Sequence, residues 1–159
     1  MIITKGKIFL IVMLFLIMLP SCVTAPPPPL PERLEIIPPA PDVTPEIAAF
    51  SGVWEGQWGA MKGIDTIVAI EKIDNRKAEI LFSFGGETPG QVYFIASVLP
   101  GPVLEWEIEK FPNDPENETG CHCKLTFKMN KELDILVGFI ESISYKLKIR
   151  ADMTRHKGK

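Results

Sequence analysis

The sequence predicts an all-β domain, an antiparallel up-and-down meander of about eight strands closing into a small barrel, behind an export signal and a proline-rich linker. Three observations predict it. From Val53 onward apolar and polar side chains alternate with period two, and helix-period stretches are missing. Turn residues separate the alternating runs at short spacing, which favours antiparallel neighbours. Each run has one apolar face, so the sheet must cover its own oily side; an up-and-down barrel or a flattened sandwich does this and limits exposed edges.

The elements follow in chain order. Residues 1–21 read as a secretory signal: Lys5 and Lys7 precede an unbroken apolar run over residues 8–19. Twelve apolar residues make a helix of roughly 18 Å, short of the ~30 Å hydrocarbon core, so a cleaved signal is expected rather than a stable span. The run ends in Leu19-Pro20-Ser21-Cys22, which resembles the lipobox of bacterial lipoproteins. The resemblance implies that the Cys22 thiol receives diacylglycerol, that the signal is cut before it, and that the new amino terminus is acylated. Several chains, at about 0.8 kcal/mol per buried methylene, hold a protein on a membrane where one chain binds reversibly. Val23 stands where inner-membrane lipoproteins carry aspartate, which implies sorting to an outer membrane.

Residues 22–45 carry the lipidated cysteine and a proline-rich linker, with nine of the chain's 15 prolines between Pro26 and Pro45. Proline lacks the amide donor and fixes φ, so helix interior and sheet ladder are both excluded. The expectation is a polyproline II spacer of about 3.1 Å per residue, a passive tether holding the domain away from the lipid.

Residues 46–159 are the folded domain. Candidate strands are 53–59, 64–73, 76–84, 91–98, 103–110, 121–129, 132–140 and 143–151. Within 103–110, Leu104, Trp106 and Ile108 face one way while Glu105, Glu107 and Glu109 face the other. In 76–84 the inward set is Ala78, Ile80, Phe82 and Phe84, with Leu81 the exception on the polar face. In the last run Ile143, Tyr145, Leu147 and Ile149 oppose Ser144, Lys146, Lys148 and Arg150. Turns are signalled by Asp74-Asn75, Gly85-Gly86, Pro89-Gly90, Pro100-Gly101-Pro102 and Asn130-Lys131.

The segment Gly52-Val53-Trp54-Glu55-Gly56-Gln57-Trp58 resembles the opening of lipocalins and related calycin barrels, where a glycine-x-tryptophan begins the first strand. The resemblance implies that Trp54 closes one barrel end. It also implies an arginine from the last strand packed on that ring, for which Arg155 has the inward parity as a cation–π partner. Members of that group often bind apolar ligands. The interior residues that would line such a site are Trp58, Phe82, Phe84, Phe94, Trp106, Phe127 and Tyr145, with Ile70 among them. An eight-stranded lumen either fills with such side chains or holds one small ligand; many bulky residues and short loops favour filling.

Chemistry is sparsely signalled. Cys121-His122-Cys123 has metal-ligand residue types, but in a strand the cysteines share one face and the histidine takes the other, so the three cannot converge on one ion. Two buried thiols are expected there; a bridge between residues two apart lies at the limit of disulfide geometry. Glu105, Glu107 and Glu109 read as a solvated sheet face. Asn117-Glu118-Thr119, in the acidic connection over residues 111–120, reads as an exposed loop and that connection as a rim or partner surface. No nucleophile elbow or phosphate-binding glycine loop is present, so neither catalytic residues, nor a metal, nor a cofactor are assigned. A net charge of −3 excludes a strongly basic nucleic-acid binder. The expected function is a non-enzymatic module held in the cell envelope by acylated Cys22, binding an apolar small molecule or an envelope protein. An accessory lipoprotein with a solid barrel is the alternative, and a cell-envelope hydrolase the second.

Overall fold

Eight strands form one antiparallel ladder in sequence order, and the last returns to pair with the first. They are β1 (Gly52–Trp58), β2 (Asp65–Ile73), β3 (Lys77–Phe84), β4 (Gly90–Leu99), β5 (Val103–Ile108), β6 (Cys123–Asn130), β7 (Ile135–Ser142) and β8 (Leu147–Arg155), preceded by a one-turn helix, α1 (Pro45–Ala48). The computed structural model describes residues 25–59, 64–109, 122–143 and 145–157. The export signal, Cys22, Val23, Cys121 and the acidic connection with its sequon lie outside the described residues. The barrel has a radius of about 9 Å, at which side chains alone can fill the interior.

The alternation that predicts the strands also sorts their faces. Inward side chains include Val68, Ile70, Ile80, Phe82, Leu104, Trp106, Leu125, Phe127, Leu136 and Met153, all buried in one apolar cluster. The outward face carries cross-strand ion pairs: Lys72–Glu79, Lys124–Glu105 and Lys148–Glu141. Glu107 faces His122 at 3.1 Å, so the glutamates of β5 form a solvated face, as their alternation predicts.

Two strands begin later than their sequence pattern suggests. The Asn130 side chain accepts the amides of Glu132 and Leu133, and Asp134 adopts φ 47°, so residues 131–134 are a turn and β7 starts at Ile135. Ser142 Oγ accepts the amide of Tyr145 and Lys146 adopts φ 51°, which closes the next turn and delays β8 to Leu147. The inward placement of Tyr145 is thereby corrected: it lies in the turn and is 68 % exposed, with Ile143 and Leu147 also exposed. From Ile149 onward the predicted parity holds, with Ala151 and Met153 buried.

The expectation of two buried thiols is also corrected. Cys123 is buried but disulfide-bonded, to a partner outside the described residues.

The largest departure concerns the linker. Residues 25–45 do not project from the barrel as a spacer but run along its outer wall as a strap. Gly86 donates its amide to the Pro26 carbonyl at 3.1 Å, and Ser83 Oγ donates to the Pro29 carbonyl. Further along, the Ile37 amide donates to the Glu71 carbonyl at 2.7 Å, and Asn75 Nδ2 donates to the Asp42 carbonyl at 3.1 Å. The Glu71 carbonyl is free to accept because the β2–β3 register shifts between Ile70 and Lys72, leaving Glu71 out of the ladder as a bulge. Beneath the strap the outward side chains are small or apolar: Ile67, Ala69, Leu81 and Ser83 are all buried. Leu81, the exception to the alternation, is thus part of a second, external core. Burial raises the Glu71 carboxyl above its ordinary range, with Glu79 and the strap's Glu35 adding repulsion.

Candidate functional site

The described residues build a closed end, a lumen packed with side chains and a cleft beside the helix. The closed end is built from the glycine-x-tryptophan segment. Gly52 sits at φ 124°, and a Cβ there would fall 2.9 Å from an Arg155 guanidinium nitrogen. Glycine thus supplies both the backbone conformation and the room. Trp54, two residues on, points inward with no exposed surface, and its indole N–H donates to the Phe50 carbonyl at 2.8 Å. The Arg155 guanidinium lies 4.2 Å from the Trp54 ring centroid and donates to the carbonyls of Ser51 and Ala49, each at 3.1 Å. Those carbonyls lie at the end of α1 and just beyond it, where the chain would otherwise leave acceptors unmatched. Val43 and Phe50 are buried and Ile47 packs on the core, completing a plug.

The lumen holds six of the seven interior residues expected from the sequence, Tyr145 being the one outside. Trp106 and Phe127 stack at 5.1 Å between centroids and 5° between planes. Trp58 meets Phe127 edge-on at 6.2 Å and Phe82 at 6.5 Å. Phe94 joins Phe82 at 6.4 Å and Trp106 at 5.8 Å, and Phe84 closes on Phe82 at 6.4 Å. The fit is tight enough to dictate a glycine opposite: a Cβ on Gly138 would lie 2.6 Å from the Phe127 ring and 3.1 Å from Trp58. Trp54, Ile70, Ile80, Leu104, Leu125 and Phe127 have no accessible surface. A void large enough for one water would leave some on its walls, so the interior is solid around these residues.

Among the described residues, two buried polar side-chain atoms have no hydrogen-bond partner, Trp106 Nε1 and Thr66 Oγ1. Each such atom costs about 1–3 kcal/mol. Replacing Thr66 with valine, which keeps the shape and removes the hydroxyl, is expected to raise stability by about 1 kcal/mol. Equilibrium denaturation reads this directly, and a lowered midpoint would mean that the hydroxyl is bonded to a buried water.

A cleft of about 350 Å³ lies outside the barrel at the helix end, between α1 and the β4–β5 turn at Pro100, Gly101 and Pro102. Its one acid, Glu46, is held by Lys131 at 3.0 Å, a hydrogen bond that lowers its pKa. The cleft therefore offers a shallow apolar surface with a neutralised carboxylate.

Acids and bases among the described residues lie on the outer wall. The buried polar side chains among the described residues are Thr66, Ser83 and Ser142, none of which is an acid or a base. His122 and His156 each face a glutamate on the outer wall, Glu107 and Glu55 respectively. Among the described residues no group of three His, Cys, Asp or Glu side chains is placed to hold a metal. The strap and its external core were not read from the sequence, although one signal was present. Residues 66–70 read Thr-Ile-Val-Ala-Ile without alternation, the pattern of a strand covered on both faces.

Comparison with family models, with curated proteins and with solved structures finds no match to this chain. What is defined is the class: a closed eight-stranded antiparallel barrel with a plugged end.

Proposed function

We propose that the chain is an envelope lipoprotein, anchored by acylated Cys22, whose solid barrel serves as a non-catalytic accessory module. In this reading it works through its outer surface and not by carrying an apolar ligand in its lumen. The observation that carries the reading is the filled interior: stacked aromatics occupy the space that a ligand-binding barrel of the lipocalin type leaves open. The Trp54–Arg155 closure supports the lipocalin-like architecture, which is separable from ligand binding. The outward ion pairs argue against a barrel that spans the bilayer, since lipid-facing strands need an apolar band. The lipobox and the short apolar run before it support the anchor, with an outer membrane favoured by Val23. An envelope protein is the partner class such a surface fits.

Native mass spectrometry of the full-length protein, purified from its own membrane, tests this. The expected result is a single species carrying only covalent acyl chains. A lipid or other small molecule retained at one copy per barrel would overturn the solid-barrel reading and restore the ligand-binding one.

A further inference from the structure

The strap is fastened to the barrel at three places of different chemistry. At its start, the Gly86 amide and the Ser83 hydroxyl donate to the Pro26 and Pro29 carbonyls. The approach is so close that a Cβ on Gly85 would fall 2.5 Å from the Pro26 carbonyl oxygen. At its end, Asn75 Nδ2 donates to the Asp42 carbonyl. None of these groups titrates in the physiological range.

The middle attachment is different. Ile37 donates its amide to the Glu71 carbonyl at 2.7 Å. The bulge that frees this carbonyl also turns the side chains of Glu71 and Lys72 outward together, since Ile70 and Ile73 on either side both lie in the core. Glu71 is half-buried there. The strap brings Glu35 near it, and β3 brings Glu79. Lys72 is the cation among them, and it pairs with Glu79 at 3.8 Å. On the β1 side the residue level with Ile70 is Gly52, which carries no charge. Glu32 and Arg33 of the strap are exposed and form no ion pair among the described residues. Three carboxylates and one ammonium thus surround the hydrogen bond that holds the strap's middle.

Burial and neighbouring like charge both disfavour an ionised carboxylate. Burial first, and then repulsion from Glu79 and Glu35, raises the Glu71 carboxyl above its ordinary range. Undocking exposes Glu71 and takes Glu35 away, so the docked strap holds the proton more readily than the free one. Linkage then fixes the sign: the contribution to docking is fullest in acid and is lost as pH rises through the docked carboxyl's pKa.

We propose that the strap is a pH-set latch: its middle, around Ile37, grips the outer wall in acid and opens more readily toward neutral pH, while both ends stay fastened. What opens is the cover over Ala69 and Leu81, which face each other across β2 and β3 and are buried beneath the strap. The surrounding pH thereby sets how often an apolar stripe of the barrel wall is uncovered. The latch works in the same way whatever holds the chain to a membrane.

Hydrogen exchange of the full-length chain in detergent micelles tests this. The Ile37 amide is the reporter and the Gly86 amide the internal reference, each corrected for its intrinsic rate at every pH. From about pH 7.5 to about pH 5, protection of Ile37 is expected to rise about fivefold or more while that of Gly86 stays level. Glu71→Gln keeps the size and removes the titration, and is expected to hold Ile37 at its acid-like protection throughout. Glu79→Gln leaves the strap itself untouched and is expected to shrink the pH effect; it serves as the second variant should Glu71→Gln fail to fold. Protection of Ile37 that ignores pH, or that rises together with Gly86, would overturn the latch. So would a pH effect that survives in Glu71→Gln or is undiminished in Glu79→Gln.

Discussion

Replacing Trp54 with alanine is expected to destabilise the barrel by about 3–5 kcal/mol, the range for removing a large buried aromatic. Three losses coincide. The ring has no exposed surface, so its whole contact area and the space it fills are forfeited. The Phe50 carbonyl loses its donor in a buried setting. Arg155 loses the face it covers while still bonding Ser51 and Ala49, so the plug remains attached to a less rigid end. Chemical denaturation measures the effect, and a change below about 1 kcal/mol would mean that the closed end contributes little to stability. Trp54→Phe separates the terms, since it keeps most of the ring and removes the N–H; it is expected to cost about 1–3 kcal/mol.

The second large effect is expected at Leu81. It is outward-facing on β3, where substitution on a bare barrel wall would stay within about 0.5 kcal/mol. Under the strap it is fully buried, so Leu81→Ala is expected to cost about 2–4 kcal/mol. The loss should be accompanied by faster proteolysis within residues 25–45, because Leu81 lies between the strap's attachments at Ser83 and Glu71. A neutral Leu81→Ala with unchanged proteolysis would return the segment to the role of a free spacer.

These two positions show how the sequence was and was not informative. Trp54 and Arg155 were legible because parity along a strand and a short motif fix where both side chains point. The interior aromatics were legible for the same reason. Tyr145 was not, because its place depends on the Ser142 hydroxyl and a non-glycine residue at positive φ, Lys146, neither of which disturbs the alternation of the letters. The strap was misread through a sound rule carried too far. Proline excludes regular hydrogen bonding within the segment, but its carbonyls remain acceptors, and Pro26 and Pro29 use them against the barrel. The matching signals sat elsewhere in the chain, in Leu81 and in the unbroken run over residues 66–70. A solid interior could be suspected from bulk, and the packing of Trp106 on Phe127 supports it.

The pairing of β1 with β8 also sets an order of assembly. Trp54 is opposite Arg155, about 100 residues away, whereas the β2–β3 hairpin and the strap's attachments need nothing beyond residue 86. As the chain is made from its amino terminus, the strap can seat early. The first strand keeps a free edge until the final nine-residue strand has been made. Long-range closure of this kind is slow, and open ladders invite pairing with other chains. The growing polypeptide is therefore most vulnerable to mispairing just before its last strand emerges, and losing only that strand would leave β1 and β7 each with one open edge.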